Sequence, residues 1–249
     1  MTLDRERTLR EMGLGPVWKL RAASPALPVE AVAQSVSPAP APAHTPPSGN
    51  IAPAVAMAAP QSAMNWDELA TAVAACRQCR LCEARKQAVL GVGDRAADWL
   101  FVGEGPGAEE DQRGEPFVGQ AGKLLDNMLA AIGLKRGQNV YIANAVKCRP
   151  PENRTPAPEE AAACRPYLER QIELIQPKLI VALGRPAAQT LLQAEVKIAA
   201  ARGKLHDYRG IPLIVTYHPA YLLRTLLDKA KAWEDLCFMR RTMAAQKGG

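Results

Sequence analysis

Aromatic and imidazole side chains are scarce in this chain of 249 residues: aromatics make up 5%, with only three Phe, and there are three His. Such a residue sitting in a polar loop is therefore a candidate to face a ligand. No uninterrupted apolar run approaches the length needed to cross a bilayer, which argues against a membrane-spanning helix. The amino terminus, Met1 to Arg7, mixes both signs of charge with no apolar segment behind it and does not read as a secretory signal. A cytoplasmic protein is expected. Charge is almost missing from Ala22 to Met64, where Glu30 stands alone and no aromatic residue occurs. A segment so poor in both cannot bury enough surface to fold, and its Ala/Pro/Ser content predicts a semi-stiff linker. Disulfides are disfavoured in a reducing compartment, so six cysteines point instead to metal ligands or catalytic thiols.

What remains suffices for one sizeable core, with 48% hydrophobic and 22% charged residues. The net charge is +6, and residues 1–64 hold five Lys/Arg against four Asp/Glu, so nearly all the excess sits on the rest. A basic domain suits a polyanion such as nucleic acid. Three regions follow: an arm at 1–21, amphipathic through Leu3, Leu9 and Met12; the linker at 22–64; and a folded domain at 65–249.

Within that domain Asn65 reads as an N-cap for a helix to about Ala75. Trp99–Gly103, Val140–Asn144, Leu179–Leu183 and Ile211–Tyr217 read as strands. Helical spacing covers Gly119–Leu134, Glu159–Gln176, Arg185–Gln193 and about Leu227–Ala245. Strands alternating with helices predict an α/β fold, a three-layer α/β/α sandwich on a central four-stranded, mainly parallel sheet. Each strand ends in a loop carrying glycine or polar residues, and that common edge is the expected site.

Cys76 and Cys79 form a Cys-x-x-Cys pair, and Cys148 and Cys164 bracket a proline-broken loop. Four thiolates suit either zinc or a cubane iron-sulfur cluster, and the spacing does not choose between them. Cys82 and Cys237 are left over: Cys82 is placed to compete as a ligand, and Cys237 on the terminal helix reads as a small buried hydrophobe. Asn144, at a strand's carboxyl end, can read a ligand.

Five motifs, in order, resemble one family. They are Cys76-x-x-Cys79-Arg80-Leu81; Gly103-Glu104-Gly105-Pro106-Gly107 with Glu109-Glu110-Asp111; Pro116-Phe117-Val118-Gly119; Asn144 through Pro151 with Asn153-Arg154; and His218-Pro219-Ala220-Tyr221-Leu222-Leu223-Arg224. Together they resemble the family 4, iron-sulfur branch of the uracil-DNA glycosylases, from about Cys76 to the terminal helix. The resemblance implies a [4Fe-4S] cluster on Cys76, Cys79, Cys148 and Cys164. It implies uracil-containing DNA, single- or double-stranded, as the partner of a nucleoid-associated monomer. Phe117 would stack on the flipped base, Asn144 would read its edge, and His218 would donate to O2, with Gly103, Glu104 and Gly105 adding backbone contacts. Leu222 or Leu223 would fill the gap in the duplex and Arg224 would meet a phosphate. Other branches place an Asp in the first motif to orient water, where this chain has Gly105, so Glu104, Glu110 and Asn153 are all candidates. A relative that traps uracil covalently uses a histidine after the Asn strand. The stretch Cys148 to Arg154 has none, so turnover and an uncleaved abasic site are expected. The rival from another class is a non-catalytic, metal-bearing module that binds nucleic acid. The arm is expected to dock on a repair or replication protein.

Overall fold

Apolar residues on both faces of a strand require cover on both sides, and four strands of this chain are built that way. A computed structural model describes residues 63–247. In it β2 (Trp99–Gly103), β3 (Val140–Asn144), β4 (Leu179–Leu183) and β6 (Ile211–Thr216) are parallel, in the order β3-β2-β4-β6. Two short antiparallel strands close the edges: β1 (Val92–Gly93) on β3 and β5 (Leu205–Tyr208) on β6. The expected four-stranded parallel sheet is thus the centre of a six-stranded one. Neither edge strand has the unbroken apolar run of the central four. β1 is two residues long and β5 exposes Leu205 and Asp207, so periodicity had little to register.

Alternate side chains of the strands feed two cores. Leu100, Val102, Ile180, Ala182, Leu213 and Val215 face α5 (Pro158–Ile175), α6 (Arg185–Leu192) and the short α7 (Ile198–Ala201). Phe101, Ile142, Val181 and Ile214 face α4 (Gln120–Ala131), α8 (Pro219–Arg224) and α9 (Lys229–Lys247). A third cluster joins α1 (Trp66–Ala75) and α2 (Leu81–Ala84) to Cys148, Cys164 and Tyr167. Asn65 caps α1 as expected: its Oδ1 accepts from Asp67 N and Glu68 N, and Glu68 Oε2 accepts in turn from Asn65 N. The acidic run after the Gly-rich turn starts α3 (Ala108–Arg113).

The arm and nearly all of the linker lie outside the described residues. The linker's last residues belong to the fold. Met64 is buried in the third cluster, and its carbonyl accepts from Arg170 Nε at 2.6 Å. No helix among the described residues is long and apolar enough to cross a membrane.

Candidate active site

β2 lies between β3 and β4, so the chain leaves it to one side and later returns on the other. The carboxyl ends of the strands part there, as at other α/β ligand sites. A cleft of about 630 Å³ opens at that edge, lined by Glu104, Gly105, Glu110, Phe117, Asn144, Asn153, Gly184, Arg185, His218 and Arg224 among others.

Phe117 forms one wall of the cleft. Its backbone has φ of 56°, a left-handed conformation that costs a bulky side chain energy and needs support from neighbours. The neighbours supply it. Arg136 donates to the carbonyls of Pro116 and Phe117, both at 2.8 Å, and Glu110 accepts from Val118 N and Gly119 N at 2.9 and 3.1 Å. The other oxygen of Glu110 accepts from Gly107 N at 3.0 Å, so one carboxylate ties the start of α3 to the Phe117 loop. On α4, Gly122 passes so close that a Cβ there would lie 1.7 Å from Phe117 O.

Asn144 closes β3 and is 2% exposed, and its Oδ1 has no hydrogen-bond partner. A buried carbonyl oxygen left unpaired is costly unless a ligand fills the vacancy. Its main-chain oxygen, by contrast, accepts from Lys147 Nζ at 2.8 Å. Asn144 and Phe117 meet over Gly103, where a Cβ would come within 2.5 Å of Asn144 Oδ1 and 2.6 Å of Phe117 Cζ. Gly103 is therefore the bare floor on which both side chains converge.

His218 is the N-cap of α8, and its Nδ1 accepts from Ala220 N at 3.2 Å. In the neutral ring the proton then sits on Nε2 as a donor. Burial, helped by the nearby Arg224 and opposed by Glu110, pulls the pKa of His218 down to about 4, so the neutral form holds at pH 7. Its ring lies 5.5 Å from that of Phe117, inclined at 31°. The turn carrying it is braced from behind: Thr216 donates to the buried Asp235 at 2.7 Å, Asp235 pairs with Arg202 at 3.1 Å, and Arg202 stands over the ring of Tyr217. Gly184, at φ of 89°, lets β4 turn past His218, whose Cβ would be 2.9 Å from an added Cβ.

The remaining expectations divide. Glu104 lines the cleft, and burial raises its pKa against the opposing pull of Thr155 and Arg185. Asn153 is exposed at the rim, with Oδ1 accepting from Arg149 Nε at 2.8 Å. Arg224 is exposed at the mouth. Leu222 corrects the sequence reading: it is 1% exposed and packs in the core with Leu125 and Ile214, so it cannot enter a duplex while α8 holds. Leu223, 41% exposed, is the surface neighbour. Sequence reading missed Arg136, Gly122, Asp235, Arg202 and Arg185. Arg136, Asp235, Arg202 and Arg185 act on residues far along the chain, and Gly122, though near Phe117 in sequence, meets it only because α4 turns back on the loop; no local motif marks any of them.

The four paired cysteines also come together. Cys76, Cys79, Cys148 and Cys164 line one small cavity between α1, the β3 loop and α5, and Cys82 lines it too. Arg85 donates to Cys148 Sγ at 2.8 Å and Lys147 N donates to Cys164 Sγ at 3.2 Å. Burial pushes the Cys164 thiol up to about 12. Among the described residues no three Cys, His, Asp or Glu side chains are grouped to hold a single metal ion.

The sequence matches the Uracil DNA glycosylase superfamily over residues 90–237. It is 47% identical over 165 residues to a Type-4 uracil-DNA glycosylase of Archaeoglobus fulgidus, covering 63% of this chain and 82% of that protein. A Type-4 uracil-DNA glycosylase of Thermotoga maritima is 49% identical over 151 residues, 60% of this chain and 78% of its own. One of Pyrobaculum aerophilum is 42% identical over 182 residues, 70% of this chain and 92% of its own. On the matched motifs, the fold and the cleft at its sheet edge, the chain belongs to the uracil-DNA glycosylase superfamily, alongside its Type-4 members.

Proposed function

We propose that this chain, as a monomer in the cytoplasm, flips uracil out of DNA and hydrolyses its N-glycosidic bond, releasing the free base and leaving an abasic site. The observation that carries this reading is the convergence of Phe117, Asn144 and His218 on one cleft, with the Asn144 acceptor buried and unpaired. Extruding a base costs a few kcal/mol. Stacking on Phe117 offsets this by about 1–3 kcal/mol.

Asn144 Oδ1 accepts from uracil N3–H while its amide N–H donates to O4. Cytosine turns a lone pair toward Oδ1 and an amino group toward the amide donor, leaving both buried groups unpaired, which is the basis of discrimination. As the glycosidic bond breaks, negative charge spreads onto O2. Neutral His218 meets it with Nε2–H, a donor aimed where charge develops.

Glu104 orients the attacking water. Both oxygens of Glu110 are held by backbone amides and Asn153 is held by Arg149 at the exposed rim, whereas the Glu104 carboxyl lines the cleft beside Thr155 and Arg185, with its pKa raised by burial. Gly105 leaves room beside it. Lys147 is buried, with Nζ bound to Asn144 O and Gln171, and is not free to form a Schiff base. The strand stays uncut. Leu223 and Arg224 flank the mouth, and Arg224 meets a phosphate.

Cys76, Cys79, Cys148 and Cys164 would hold a [4Fe-4S] cluster. Its fit rests on four sulfurs around one cavity, two of them already receiving N–H donors of the kind that stabilise thiolates. Bound there, the cluster would supply a covalent staple between the amino-terminal helices, the β3 loop and α5. The arm at 1–21 would dock on a repair or replication protein through Leu9, Met12 and Trp18.

Uracil release from a defined oligonucleotide under single-turnover conditions tests the reading. His218→Ala is expected to slow release by about 10²–10³-fold, the loss typical of one such donor, with Asn144→Ala losing release as well. Unchanged release from correctly folded variants would overturn these roles.

A further inference from the structure

The cysteine cavity has five thiols on its walls where a cubane takes four. Cys148 and Cys164 are buried on the β3 loop and α5, while Cys76, Cys79 and Cys82 are half-buried on the opposite side, spaced every third residue. We infer that Cys82 is a reserve ligand, able to take the place of Cys79 on the cluster. This rests on the cluster assignment made above.

The local geometry supports the exchange. Cys82 N donates to Cys79 O at 3.2 Å, closing a single turn, so the two side chains are i, i+3 neighbours on the same stretch of backbone. Leu81, 1% exposed, pins that turn into the third cluster, so either thiol can serve without moving the fold. Cys76 and Cys79 pack against that cluster and Cys82 does not, which ranks Cys79 as the resident ligand and Cys82 as the substitute. Arg85, which donates to Cys148 Sγ at 2.8 Å, lines the same cavity as Cys82, so a thiolate there meets a cation already in place. In the exchange the Fe–S bond to Cys79 breaks, one to Cys82 forms, the Cys82 thiol proton passes to Cys79, and no electron moves.

Full-length protein purified without oxygen answers the question through iron and acid-labile sulfide content, backed by alkylation of the folded protein and peptide mass mapping. The wild type is expected to carry the cluster, with Cys82 alkylated and Cys79 protected. Cys79→Ser, or Cys79→Ala should the serine variant misfold, is expected to keep iron and sulfide while Cys82 becomes protected. Cys82→Ser is expected to match the wild type, and Cys79→Ser/Cys82→Ser to lose the cluster. A folded Cys79 single variant as iron-free as the double, or Cys82 protected in the wild type, would overturn the reserve role while leaving the cluster standing. Wild-type protein without iron and sulfide would remove the cluster itself, and the inference with it.

Discussion

His218 shows how one side chain's surroundings set its chemistry. With Nδ1 occupied by Ala220 N and the ring buried beside Arg224, protonation is deferred to a pKa of about 4, so the neutral ring, accepting at Nδ1 and donating from Nε2, persists through neutral and mildly acidic pH. Two consequences can be measured. Any acid limb in the single-turnover rate above pH 5 must belong to another group, and following the His218 ring signals by NMR through a titration will place its midpoint near 4. For stability, the unfolded chain takes up a proton near the ordinary histidine value of about 6.5 while the native ring stays neutral. Native stability should therefore fall as pH drops from about 6.5 to 4 and level off below. In His218→Gln that part of the slope should vanish from the denaturation midpoints.

The Phe117 loop and the turn ahead of α8 are held by elements that contribute no atom to the base. Gly122→Ala would drive a methyl into Phe117 O, so α4 or the loop must shift. A loss of about 1–3 kcal/mol in denaturant unfolding is expected, together with slower excision. Arg136→Ala should loosen the same loop without altering α4, because two carbonyls lose their donor. Behind His218, Asp235→Ala should cost roughly 3 kcal/mol, the low end for breaking a buried pair, since Arg202 keeps Glu234 as a partner. If the brace matters for catalysis, kcat should fall while the KM for uracil-containing DNA holds. Thr216→Val should lower kcat in the same way, whereas Thr216→Ser, which keeps a hydroxyl to donate to an intact Asp235, should leave it unchanged.

Across the whole chain, every proposed contact with the base lies between Gly103 and His218, inside the described fold. Deleting residues 1–62 is therefore expected to leave uracil release from a short oligonucleotide unchanged while abolishing capture of any partner by the arm. A deletion that slowed release on such a substrate would move the amino terminus into the catalytic unit. The basic excess on the remaining residues predicts binding that weakens as salt rises, with a log–log slope that shallows by about one in Arg224→Ala.

Sequence alone determined the parts whose physics is local. Unbroken apolar runs announced the four central strands, Asn65 followed by Glu68 announced the first cap, and short motifs in the loops and strand ends put Phe117, Asn144, His218 and the cysteine pairs among the candidates. Tertiary structure decided what depends on residues far apart in the chain. It turned Leu222 inward, because the helix it shares with Tyr221 and Leu223 must bury one face. It spent Glu110 on three backbone amides, and it set Arg136 beneath Phe117 and Asp235 behind Thr216. It also brought a fifth thiol to a four-thiol cavity. Side-chain direction and long-range pairing follow from packing, and packing is settled only when the sheet and its two helical layers close on one another.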